Sequence, residues 1–275
     1  MFLEAGTDMD NDNMQVPDLD GPDLQLRPPC TIFTKNKIKS EEKEMRNYLF
    51  NENMKMADLI LIKPSIILLL PRFNIPLGFG DKSVKDLCMA HGISSGLFLM
   101  ICNIYSFDNY VPSQDVVNSI DMSMLDCYLE KSHRYYLDQR LPHIANHISR
   151  IAGEMNNRAG EILKCFFEEY NNEVIAHFRY EEQNVFPHLK RLLSGEAADD
   201  YSITAYLPSH TNIEDKLDDL TQIMFKYLPE GVKTYETIGA VFDILQLSED
   251  LKKHSLIEEK VLIPFVEHLE KIRGK

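Results

Sequence analysis

The sequence predicts an all-α protein, an up-down four-helix bundle preceded by a small helical N-terminal module. Three observations carry that prediction. From Ser119 onward apolar residues recur at helical spacing in four long stretches, near 122–150, 155–193, 203–228 and 234–271. The links between them are short and polar, such as Ser194-Gly-Glu-Ala-Ala-Asp-Asp200 and Pro229-Glu-Gly231, which makes successive helices antiparallel neighbours. Twelve Gly and thirteen Pro in 275 residues supply few of the turns that a β fold needs.

Residues 1–45 read as a leader. They are rich in Asp, Asn, Pro and Met and lack the large apolar residues from which a core is built, so a disordered tail is expected. Residues 46–115 form the small module, and 119–275 the bundle. Within the module, Pro64, Pro71 and the Gly78–Gly80 turn divide an apolar run into short helices. Ser83 caps a further helix, with Asp86 three residues on, and Ile93 to Tyr105 is a third, almost wholly apolar one. That last helix offers no basic face to a phosphate backbone, so a helix-turn-helix reading is set aside.

The charge balance of 29 Lys and Arg against 43 Asp and Glu gives a net charge of −14, which repels nucleic acid and anionic membranes. The apolar run from Leu59 to Leu70 is too short for a bilayer and is broken by Lys63 and Pro64. Five scattered cysteines (Cys30, Cys88, Cys102, Cys127, Cys165), without a Cys-x-x-Cys pair, fit a reducing compartment. No basic and apolar leader typical of secretion opens the chain. A cytoplasmic protein without nucleic-acid or membrane partners is expected.

The chemistry lies in an internal repeat. His177-Phe-Arg-Tyr-Glu181-Glu-Gln-Asn-Val-Phe-Pro187 is echoed 77 residues later by His254-Ser-Leu-Ile-Glu258-Glu-Lys-Val-Leu-Ile-Pro264. The same offset carries His133 onto His210. Each half of the bundle thus has a lone His on its first helix and a His-x-x-x-Glu on its second. A spacing of four places imidazole and carboxylate one turn apart on one face. Facing helices would gather His133, His177, Glu181, His210, His254 and Glu258 in the bundle core, the manner in which di-iron and di-manganese centres are built. Imidazole also suits zinc and copper, so the donors alone leave the metal open.

One His-x-x-x-Glu is expected by chance as an exposed pair; two in tandem, with a matched upstream His and a matched Pro, are not. Pro187 and Pro264 are expected to kink or end their helices without touching metal. His143 and His147 share a face but have no counterpart at the repeat offset, so surface or packing roles are expected, as for His91, His188 and His268. Glu214 is an outside candidate, and Glu182 and Glu259 are expected beside the ligands or at the surface.

The residues His133 with Leu141-Pro142, His177–Glu181, His210 and His254–Glu258 resemble the hemerythrin-like superfamily, and within it the iron–sulfur cluster repair proteins. The resemblance implies a hemerythrin-like bundle with two non-haem iron ions joined by an oxo bridge. His133, His177, His210 and His254 would be terminal ligands, with Glu181 and Glu258 bridging. Oxygen-carrying hemerythrin is a poorer match, because position 214 holds Glu where another His is wanted. Residues 56–107 resemble the N-terminal domain of the repair proteins, but Pro76-Leu77-Gly78-Phe79-Gly80 stands where that domain carries Cys-Cys-Gly. The resemblance further implies NO or O2 as small ligand, damaged iron–sulfur proteins as partners, and a role under nitrosative or oxidative stress. Reversible capture of O2 or NO by a sensor is the alternative.

Overall fold

The structure, a computed structural model, describes residues 49–155, 157–195, 201–206, 211–228 and 234–273. The leader 1–45 and His210 lie outside the described residues, as does the side chain of Glu214.

The module contains α1 (Met56–Ile62), two 3-10 turns begun by Pro64 and Pro71, α2 (Val84–Ala90) and α3 (Ser95–Ser106). Proline at the first position of a helical turn costs nothing, because that N–H has no intrahelical partner. Ser83 caps α2 by accepting from the Asp86 N–H at 3.1 Å, and Ser94 caps α3 at the Leu97 N–H. Gly78 and Gly80 take φ of +91° and +63°, left-handed values at which a side chain would be strained. A short helix, α4 (Gln114–Asn118), then leads into the bundle.

Four rods build the bundle. The first is α5 (Met122–Tyr135) continued by α6 (Leu141–Met155); the second is α7 (Arg158–Tyr180) continued by α8 (Phe186–Ser194). The third is α9 (Thr211–Tyr227), and the fourth α10 (Thr234–Ile257) continued by α11 (Ile263–Ile272). α6 packs on α7 and α10, and α9 packs on the same two, which closes the square of an up-down bundle. At the α6–α7 corner a Cβ on Gly160 would stand 2.6 Å from the Ala152 carbonyl, so the two helices meet there at glycine distance. Among the described residues no helix is long and apolar enough to cross a membrane.

One expectation needs correction and a second is narrowed. Residues 203–228 do not form one helix: Ile203–Ala205 is a 3-10 turn and α9 starts at Thr211. Glu270 holds the earlier segment against α11, accepting from the Ile203 N–H at 3.0 Å and the Ser202 hydroxyl at 3.1 Å. Nor do the prolines end their helices. Each of three rods widens into a π-turn, Tyr136–Arg140, Glu181–Val185 and Glu258–Leu262, and resumes as α-helix with Pro142, Pro187 or Pro264 two residues on. A proline ring clashes with the carbonyl four residues back and donates nothing to it. The carbonyls concerned lie inside the π-turns, whose wider ladder accommodates the ring and lets the rod run on.

The described residues form two apolar clusters. One joins the module to Leu125 and Leu129 of α5, Val185 and Phe186, and Ile257 and Val261. The other, within the bundle, includes Tyr136 and Ile144, Val174 and Phe178, and Leu247 and Leu251. A buried ion pair fastens module to bundle. Arg72, 2% exposed, binds Asp250 of α10 with both terminal nitrogens, and Nη1 also donates to Tyr105 Oη at 3.0 Å and Tyr128 Oη at 3.3 Å. Tyr105 and Tyr136 donate to Asp250 Oδ1 at 2.6 and 3.0 Å, and the guanidinium lies over the Tyr135 and Tyr136 rings.

Removing one partner of such a pair strands the other charge. Arg72→Met is therefore expected to lower the unfolding free energy by about 3–5 kcal/mol in urea titrations. Arg72→Lys should recover only part of it, because an ammonium cannot make the two-pronged contact. A loss below about 1 kcal/mol would place the pair in a solvated setting, contrary to its burial.

Candidate metal centre

The layer between the two apolar clusters is polar. His133 stands between Leu129 and Tyr136, Glu181 between Phe178 and Val185, and His254 with Glu258 follows Leu251. Donor atoms of His133, Glu181, His254 and Glu258, all buried, lie within 4.8 Å of one another. His133 Nε2 is 3.0 Å from Glu181 Oε2 and 3.3 Å from His254 Nε2. Within the two repeats the predicted one-turn pairs form, His177 Nε2 to Glu181 Oε1 at 3.0 Å and His254 Nε2 to Glu258 Oε1 at 3.1 Å. Five of the six expected residues are thus brought together; the sixth, His210, is the one outside the described residues.

Supporting groups fix these side chains. Glu182 Oε1 meets the outer nitrogen of His133, Nδ1, at 3.1 Å, the way a carboxylate steadies a ligating imidazole. Glu259, its counterpart in the repeat, is exposed. Phe178 stacks on the His133 ring at 4.1 Å and Phe186 lies beyond at 5.4 Å, closing the layer with aromatic faces. Tyr206 donates its hydroxyl to Glu181 Oε1 and stacks on His177. Tyr206 and the Arg72–Asp250 pair, one turn before His254, escaped the sequence reading, since neither repeats at the 77-residue offset. His188 proves structural: its Nε2 is 2.9 Å from Glu270 Oε1. Cys88 is buried, and burial pushes its thiol up to about 12, which leaves it an inert packing group.

The donor set fits a cation. Two carboxylates 0–1% exposed, set among imidazoles, carry a desolvation cost of several kcal/mol each that a cation in their midst offsets. Burial alone would push the His133 imidazole down, but hydrogen bonds to Glu181 and Glu182 outweigh it and bring it up to about 9. Burial would likewise raise Glu181, yet His133 and His177 hold it well below the ordinary carboxylate range.

Fold and site together define a class, helical bundles that hold a cation among buried imidazoles and carboxylates. A family profile described as "Hemerythrin HHE cation binding domain" matches residues 129–266, half of the chain, and the chain belongs to that family. It is also similar to the iron-sulfur cluster repair protein ScdA of Staphylococcus haemolyticus, 21% identical over 165 residues that cover 56% of this chain and 73% of that one.

The two shifts set the pH response of chelator-stripped protein. His133 is raised from about 6.5 in the unfolded chain, so its contribution is complete below about pH 6.5 and fades as pH climbs through about 9. Glu181 is lowered, so its contribution is present above about pH 4.3 and fades in more acid solution. Thermal melts of stripped protein should therefore show an alkaline decline between about pH 6.5 and about 9 that His133→Gln flattens. An identical alkaline limb in the variant would contradict the assignment.

Proposed function

We propose that this chain is a non-haem di-iron protein that protects or rebuilds iron–sulfur centres under nitrosative or oxidative stress. The observation that carries the proposal is the buried layer of His133, His177, Glu181, His254 and Glu258, built from a tandem repeat within a cation-binding family domain. In this reading His133, His177, His210, His254, Glu181 and Glu258 would hold the two irons. Iron held there would supply the capacity to bind NO or O2 when reduced. The chain's own groups do the rest. Phe178 and Phe186 exclude water from one side of His133. Tyr206 holds one Glu181 oxygen by a donated proton. His133 would meet a metal through Nε2, giving up the proton on that nitrogen, while Nδ1 keeps its N–H donated to Glu182, whose side chain is 44% exposed. The repair role is supported by the likeness to a protein named for iron-sulfur cluster repair.

Metal analysis tests the ligand set. Wild type is expected to hold two irons per chain, and Glu181→Gln with Glu258→Gln to lose most of them, because ligands must be deprotonated donors. Normal iron in that double variant would refute it. The role is tested by incubating reduced, loaded protein with an NO-damaged iron–sulfur enzyme: restored activity is expected, and failure with an intact iron centre sinks repair.

The Arg72–Asp250 pair favours a second reading, sensing, because it ties the module to the helix that bears His254. Sensing requires that NO change hydrogen exchange across residues 56–107, and equal protection with and without NO counts against it.

A further inference from the structure

A second convergence of metal-type donors lies further along the bundle. His143 and His147 stand four apart on α6, on one face, and α10 brings Asp243 up to them. His143 Nε2 is 3.3 Å from His147 Nε2 and 3.1 Å from Asp243 Oδ2, and His147 Nε2 is 3.7 Å from the same oxygen. A hydrogen bond accounts for the His143–Asp243 contact, but 3.7 Å is too long for one between His147 and Asp243. The triangle has another reading. Metal–ligand bonds of 2.0–2.1 Å in a tetrahedral site separate the donors by about 3.3 Å. All three edges lie near that value.

The carboxylate is held in place. Arg140 Nη2 donates to Asp243 Oδ1 at 3.1 Å, to the Asp243 carbonyl at 3.3 Å and to Gln246 Oε1 at 3.0 Å. That fixes the side chain with Oδ2 turned to the imidazoles, so the arrangement precedes any ion. His147 and Asp243 side chains are largely covered, at 19% and 18%, while His143 is 54% exposed. The cluster therefore has a rigid floor and an open side, where water would complete the coordination of a bound ion.

We infer that His143, His147 and Asp243 form a separate site for one exchangeable divalent transition-metal ion, of the zinc or ferrous type. It lies ten residues beyond His133 on the same rod, about 15 Å at the helical rise. It is distinct from the buried layer and shares no residue with it. Two imidazoles and one carboxylate favour such ions over magnesium or calcium, which prefer oxygen donors.

Zinc titration calorimetry on the full chain, stripped by chelator, tests it. Wild type is expected to bind one more equivalent than His143→Ala/His147→Ala. Asp243→Asn, which keeps the residue's shape, should weaken that equivalent roughly tenfold or more, since even outer partners of ligands are worth that much. Glu181→Gln/Glu258→Gln should retain it, which separates this site from the bundle centre whatever that centre holds. Equal stoichiometry and affinity in wild type, the double histidine variant and Asp243→Asn would overturn the inference. So would loss of the same equivalent in the Glu181/Glu258 variant.

Discussion

The burial of Glu181 is the constraint on which the rest depends. Its carboxylate is met by His133, His177 and Tyr206 and has no access to solvent. A carboxylate in that position is tolerated only when surrounding donors and positive charge replace the water it lost. The demand explains why polar residues from three rods meet at one level. It also explains why the aromatic faces of Phe178 and Phe186 can close around His133 without stranding it.

That polar layer divides the apolar interior in two, and each cluster has its own task. The bundle cluster holds α6, α7, α9 and α10 in their square. The other cluster binds the module over α5, α8 and α11. Dispersion and hydrophobic burial set the adhesion there but not its orientation. Arg72 and Asp250, with three tyrosine hydroxyls, supply a directional contact in which the carboxylate and both terminal guanidinium nitrogens are met. Because Asp250 lies one turn from His254, anything that shifts the module acts on the rod that carries a ligand candidate.

The π-turns connect local sequence to site geometry. Glu181 and Glu258 each open a π-turn, and each turn runs into a proline. The proline is thus a means of widening the helix next to the carboxylate while keeping the rod continuous. The first rod repeats the device at Tyr136–Arg140 before Pro142, just beyond His133. A structure-breaking residue here serves the position of functional side chains, and so the prolines match in spacing.

Helical class, the four-rod pattern and the His-x-x-x-Glu pairs were determined by the sequence itself. Each depends on the 3.6-residue period, which acts between neighbours in the chain. The caps at Ser83 and Ser94 are legible for the same reason. What only the tertiary structure decided spans long separations. Tyr206 reaches Glu181, Arg72 reaches Asp250 across 178 residues, and Asp243 joins His143 across 100. No local period announces such pairs, since they follow from which helix faces meet and at what height. The same holds for the segment from Ile203 to Tyr206, read as the start of a helix but held as a turn by Glu270. Local propensity is a weak preference, and a buried carboxylate accepting two hydrogen bonds outweighs it.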